Sequence, residues 1–205
     1  MGRYLNEREL GVAQDEIGFP NIGDCMGVVL LTTNEMFGFH AMPGDSARVT
    51  AMANFIGTKL NTAIHLYGTC IRKKRYDGDN HQWLTEMQAI AAGLNYHGPA
   101  SGFDLPAYPN NKDGTNDTTY LEYRRSSGAT TCDIYYKRMS KMQTPSGPNF
   151  TTDPVERVLP GGPTGFKHVL PNVAITTKAE VIETYWNKGE LHEVPESKIE
   201  TITIP

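Results

Sequence analysis

The sequence predicts an α/β chain of the α+β kind: a layered sandwich of mixed β-sheet with two main helices, followed by an extended arm rich in Pro and Gly. Three observations carry this. Up to residue 141, segments of strand and helix character follow the order hairpin, helix, strand, helix, loop, hairpin, and such mixed orders build layered domains. The composition then changes, with Pro145, Pro148, Pro154, Pro160 and Pro163 among several glycines, which favours extended chain. Finally, 39% of the 205 residues are hydrophobic and 20% charged, enough apolar material for one core and less than a uniformly compact chain carries. The expected division is a domain over 1–141 and an arm over 142–205 that adds strands to the core or docks a partner.

Residues 1–24 are polar and glycine-punctuated, with little periodicity. Cys25-Met26-Gly27-Val28-Val29-Leu30-Leu31 and Met36-Phe37-Gly38-Phe39-His40-Ala41 then flank Thr32-Thr33-Asn34-Glu35, which reads as a β-hairpin. Asp45 or Ser46 offers a cap for a helix whose apolar face is Val49, Met52, Ala53, Ile56 and Leu60. Residues 63–71 read as a strand, and 81–94 as a second helix with Leu84, Met87, Ala91 and Leu94 on one face. Residues 98–117 are loop with one short strand. Residues 120–124 and 131–137 flank Ser126-Ser127-Gly128-Ala129 as a late hairpin. In the arm, 173–176 and 199–204 have strand character.

A net charge of -4 argues against nucleic acid, which demands a basic surface. The run Arg72-Lys73-Lys74-Arg75 follows an apolar stretch and reads as a solvated strand end. Gly161-Gly162-Pro163-Thr164-Gly165-Phe166-Lys167-His168 lacks the order of a phosphate loop. No apolar run is long enough to span a membrane, and the amino terminus has no secretory signal pattern. The expected location is cytoplasmic, or outside the cell by a route without a cleavable signal. Cys25, Cys70 and Cys132 form no C-x-x-C pair, and the six histidines have no ligand spacing, so neither metal nor cofactor is expected. Cys70 and Cys132 read as core thiols, His65 as a hydrogen-bonded strand histidine, and Trp83 and Trp186 as packing anchors.

The first hairpin carries the chemistry. A turn centred between Thr32 and Thr33 sets Cys25 opposite His40 and Gly27 opposite Gly38, all on one face, with opposed Cβ atoms roughly 4.5–5.5 Å apart. Met26, Val28, Leu30, Phe37 and Phe39 take the other, core-facing side. Imidazole beside a thiol lowers the thiol's pKa and protonates a leaving group, while the glycines leave a notch for a substrate. Backbone amides around Gly23, Asp24 and Cys25 suit an oxyanion hole. Asn21, Asp24, Thr32 or a backbone carbonyl could orient His40.

Asn21-Ile22-Gly23-Asp24-Cys25-Met26-Gly27-Val28-Val29-Leu30 followed by Phe37-Gly38-Phe39-His40-Ala41-Met42-Pro43 resembles the active-site region of CheD, the bacterial chemoreceptor glutamine deamidase. The resemblance covers residues 21–43 in motif and 18–140 in layout. CheD shares its catalytic arrangement with cytotoxic necrotizing factor-type toxins. The resemblance implies Cys25 as nucleophile, His40 as base, and deamidation of an exposed protein glutamine through a thioester, as in a bacterial effector or toxin. An amine in place of water would give transglutamination. CheD has a threonine six residues before its cysteine, where this chain has Phe19. A cysteine peptidase or amidase is the alternative enzyme, and a non-catalytic binding module the alternative of another class.

Overall fold

Short strand segments near the amino terminus and the two hairpins assemble into two facing sheets, with helices on the outside of one. The computed structural model describes residues 3–108, 118–139, 150–151, 167–168, 172–173 and 191–205. One sheet joins β1 (Arg3–Tyr4), β3 (Glu16–Ile22), β8 (Thr118–Arg124), β9 (Asp133–Met139) and β13 (His192–Glu193) in that order. The other has the order β11 (Lys167–His168), β2 (Glu9–Ala13), β5 (Met36–Ala41), β4 (Met26–Thr32), β6 (Ala63–Cys70), β7 (Pro99–Gly102) and β14 (Glu200–Thr203). A separate pair joins β10 (Phe150–Thr151) to β12 (Asn172–Val173). The helices are α1 (Val49–Ile56), the short α2 (Arg72–Arg75) and α3 (Asn80–Gly93).

The result is α+β, with a helical layer, a mixed sheet and a second mixed sheet. Val49, Met52 and Ile56 of α1 and Met87, Ile90 and Ala91 of α3 pack on Met26, Val28, Leu30, Phe37 and Phe39. This is the core face that alternation in the hairpin predicts. The opposite face is buried as well: Val29, Leu31 and Met36 meet Leu5 and, from the second sheet, Ile17, Phe19, Leu121 and Tyr123. A strand covered on both sides needs apolar residues at every position, which accounts for the unbroken run in β4.

Residues 3–24 form more strand than their lack of periodicity suggests, because β2 and β3 are also nearly continuously buried. Asp79 caps α3 through the amide of His81. Asp45 caps nothing at α1; its carboxylate takes the Met42 amide (3.1 Å) and pairs with Arg8 and Arg48. Residues 191–205 place one strand on each sheet, β13 against β9 and β14 against β7. Most of 142–190, where an extended arm is expected, and Trp186 with it, lies outside the described residues.

The hairpin register departs from expectation. The turn spans Thr32–Glu35, closed by the Thr32 amide to the Glu35 carbonyl (2.8 Å) and reinforced by the Thr32 hydroxyl (2.9 Å). Its centre lies between Thr33 and Asn34. Gly27 therefore opposes His40, Val29 opposes Gly38, and Cys25 lies diagonal to His40 instead of opposite it. The offset is two residues, so each side chain keeps the face that alternation assigns to it.

The expected glycine notch is closed. A Cβ on Gly27 would lie 2.5 Å from Leu121 Cδ2 and 3.1 Å from Phe19, and one on Gly38 would lie 2.6 Å from Leu5 Cδ1. The glycines bring the second sheet into contact and leave no room for a substrate there. Gly27→Ala is expected to cost about 1–3 kcal/mol by overpacking, read as a lowered midpoint in urea unfolding. An unchanged midpoint would restore the open notch.

Candidate active site

Three chain segments meet at the end of the β4–β5 hairpin away from its turn. The first is the bend between β3 and β4. Asn21 has a φ of 63°, left-handed for a non-glycine residue, at a register break between β3 and β8. Past the bulge the chain pairs once more with β8, Ile22 opposite Thr119, and Gly23 and Asp24 then carry it to Cys25, just ahead of β4. The second segment is the end of β5, with His40. The third is the connection from β1 to β2, residues 5–8, which crosses both.

His40 is fully buried, and its Nδ1 lies 2.8 Å from the Leu5 carbonyl oxygen. A carbonyl only accepts, so Nδ1 carries the proton and Nε2 presents a bare lone pair. That Nε2 is buried with no hydrogen-bond partner among the described residues. The group that orients His40 is thus a backbone carbonyl. Of the side chains expected for that role, Asn21 bonds Glu7, Asp24 offers its carbonyl elsewhere, and Thr32 closes the distant turn. Phe19, where CheD has threonine, packs edge-on against the imidazole with ring centroids 5.8 Å apart.

Cys25 is 1% exposed. Its sulfur lies 4.0 Å from both Glu7 Oε1 and Asp24 Oδ1, at the long end of thiol hydrogen bonding. Burial pushes the thiol well above its ordinary pKa, and the carboxylates of Glu7 and Asp24 push the same way, against the opposing charge of Arg75. Burial lowers His40 to about 4, and Arg75 adds to this, while the Leu5 carbonyl, Asp24 and Asp45 oppose it. Cys25 is therefore a neutral thiol and His40 a neutral imidazole, and the hydrogen bond expected between them is not made: among the described residues the sulfur meets only the two carboxylates and Nε2 has no partner. The lowered thiol pKa expected from a neighbouring histidine is absent: low dielectric disfavours both charges, and two carboxylates oppose a thiolate.

Arg75 was hidden in the basic run, whose reading as a solvated strand end is wrong. The run forms α2, with Lys73 exposed and Arg72 buried; Arg72 lies over the Trp83 ring and pairs with Glu200. The Arg75 side chain is 1% exposed. It donates to the carbonyls of Asp24 (2.7 Å), Ala41 (3.3 Å) and Met42 (3.3 Å), and forks onto Glu86 of α3 (2.8 and 2.6 Å). One guanidinium thus ties the bend before Cys25 to the chain just after His40. In a trans peptide the N–H points opposite to the C=O, so fixing the Asp24 carbonyl also fixes the direction of the Cys25 N–H. The sequence carried one usable signal: Arg72 and Arg75 lie three apart, on one helical face.

Cys70 and Cys132 are buried, and burial pushes each thiol up to about 12. His65 Nε2 meets the Ser101 hydroxyl at 2.7 Å, and Trp83 donates to the Gly68 carbonyl at 2.9 Å. Among the described residues no group of three or more His, Cys, Asp or Glu could hold a metal ion, and no helix is long and apolar enough to cross a membrane. No protein-family model matches the chain, and no curated protein matches it either.

Proposed function

We propose that the chain is a cysteine hydrolase that deamidates protein glutamine side chains, with Cys25 as nucleophile and His40 as base. The observation that carries this reading is His40 itself: locked in one tautomer by Leu5, with a bare, buried Nε2 on the face of the hairpin that also bears Cys25. Most buried polar atoms are partnered, so a bare Nε2 is the form that an awaiting base presents. The likeness of residues 21–43 to CheD, together with the helix-on-two-sheets layering, supports the same chemistry.

His40 Nε2 takes the thiol proton as sulfur attacks the carboxamide carbon. The tetrahedral oxyanion is met by backbone N–H groups of the Gly23–Cys25 bend, whose direction Arg75 sets. The C–N bond breaks as His40 returns the proton to nitrogen, and ammonia leaves. Water, deprotonated by His40, then hydrolyses the thioester to glutamate and free thiol. Because Cys25 is 1% exposed, substrate entry requires the Glu7 side chain to swing off the sulfur while the Leu5 carbonyl keeps its hold on His40.

A non-catalytic binding module is the second reading, favoured by the burial of Cys25 and its raised pKa. Incubation with glutamine-containing peptides separates the two. The deamidase reading expects ammonia and a gain of about one dalton per site without chain cleavage, all lost in Cys25→Ala. Fragmented peptides would indicate a peptidase. Identical results with wild type and Cys25→Ala would leave the binding module.

A further inference from the structure

We propose that Glu7 and Asn21 form the recognition end of this site, accepting the two N–H groups of a primary carboxamide and so selecting carboxamides over esters and carboxylates. The inference rests on the deamidase reading of Cys25 and His40 and adds to it the residues that read the substrate's nitrogen.

Three observations converge. Glu7 Oε1 lies 4.0 Å from the Cys25 sulfur. A nitrogen bonded to the carbon under attack sits roughly 3 Å from the sulfur, and an N–H donor sits roughly 3 Å from its acceptor. One nitrogen satisfies both contacts when sulfur and oxygen are this far apart. Next, Asn21 Nδ2 donates to that same Glu7 oxygen at 3.4 Å. A carboxylate only accepts, so the amide orientation is fixed and Oδ1 is the free end. Third, Asn21 Oδ1 is buried with no partner among the described residues. A buried acceptor without a donor is costly to the fold, and a substrate N–H arriving beside the sulfur supplies that donor. Asn21 holds this place from a left-handed backbone.

The electrostatics select in the same direction. Glu7 and Asp24 both approach the sulfur to 4.0 Å. A carboxamide meets them with N–H donors, whereas an ester brings an alkoxy oxygen and no donor. The glutamate product is an anion beside two carboxylates and is expelled. Asp24 is exposed and Glu7 half-buried, so Glu7 is the carboxylate better shielded from water and the stronger acceptor for a substrate N–H.

The test compares carbobenzoxy-glutaminylglycine with the γ-ethyl ester of the corresponding glutamyl peptide, using wild type, Glu7→Gln and Glu7→Ala of unchanged melting temperature. The expected result is a loss of about 10- to 100-fold in kcat/KM for the carboxamide, with the ester unchanged or faster. Removing a carboxylate also eases thiol ionisation, but that raises both substrates alike and leaves their ratio untouched. Equal changes on the two substrates, or none on either, would overturn the recognition role while leaving Cys25 and His40 in place. Wild type inert toward both, and equal to Cys25→Ala, would overturn the deamidase reading and this inference with it.

Discussion

Replacing His40 with glutamine is expected to lower kcat/KM for glutamine peptides by about 10²- to 10⁴-fold, the usual worth of a positioned acid–base group. Cys25→Ala/His40→Gln should lose no more than Cys25→Ala alone, because a base with no nucleophile to activate does nothing. Glutamine fills much of the space and can still donate to the Leu5 carbonyl, so the change removes proton transfer more than packing. Wild-type activity should also report the neutral resting pair. With His40 near 4 and Cys25 raised well above an ordinary thiol, the acid limb of kcat/KM falls near pH 4 and the alkaline limb lies far above neutrality. Stability carries a matching signature. His40 titrates near 4 when folded and near its ordinary 6.5 when unfolded, so between these values the unfolded chain binds more protons. Its contribution is therefore complete above pH 6.5 and is lost as pH falls toward 4. His65 shares that window, and His40→Gln should remove part of the slope and leave the rest. Retention of activity within about tenfold, with an unchanged profile, would end the assignment of His40 as base.

How much of this was legible in the chain follows from the kind of signal each part emits. Alternation announces faces, so the sorting of Cys25 and His40 onto one side of the hairpin and of Phe37 and Phe39 onto the other could be read directly. Register depends on turn length, and Thr32-Thr33-Asn34-Glu35 suits either a two-residue or a four-residue connection. The hydroxyl of Thr32, bonding Glu35, decided for the longer one. The glycines marked a close approach correctly but not its occupant, because Leu121 and Phe19 come from strands far away in sequence. β2 and β3 gave no period since their burial is nearly continuous and Asn21 breaks β3 with a bulge. The orienting group of His40 could not be found by residue type, since any residue supplies a carbonyl. Glu7 was equally silent; only the path of residues 5–8 over the sulfur brings it there. Four consecutive basic residues looked solvated, although two of them are covered by the fold.

The second large effect is expected at Arg75, where Arg75→Met should cost about 3–5 kcal/mol of stability in urea unfolding, because it leaves one partner of a buried pair uncompensated. Glu86 is 13% exposed on its side chain and would keep only the Tyr76 hydroxyl of its present partners, while the Asp24, Ala41 and Met42 carbonyls would lose the guanidinium, Met42 keeping the Asp45 amide. Lysine should rescue little, since an ammonium group cannot fork onto a carboxylate and span three carbonyls at once. The loss should depend on pH in a defined direction. Burial alone would raise Glu86, but its hydrogen bond and ion pair with Arg75 outweigh burial and hold it below its ordinary 4.5. A depressed carboxylate stabilises above its unfolded pKa and loses that contribution as pH falls through the folded value. The gap between wild type and Arg75→Met should therefore be full at neutral pH and narrow on acidification, first above 4.5 as the variant's buried Glu86 protonates, then below it as wild type loses the ion pair. Activity should fall further than unfolding explains, because the bend that aims the Cys25 N–H is no longer tied to the chain after His40. A variant within about 1 kcal/mol of wild type at neutral pH would place Arg75 among surface charges and remove the physical link between the two halves of the site.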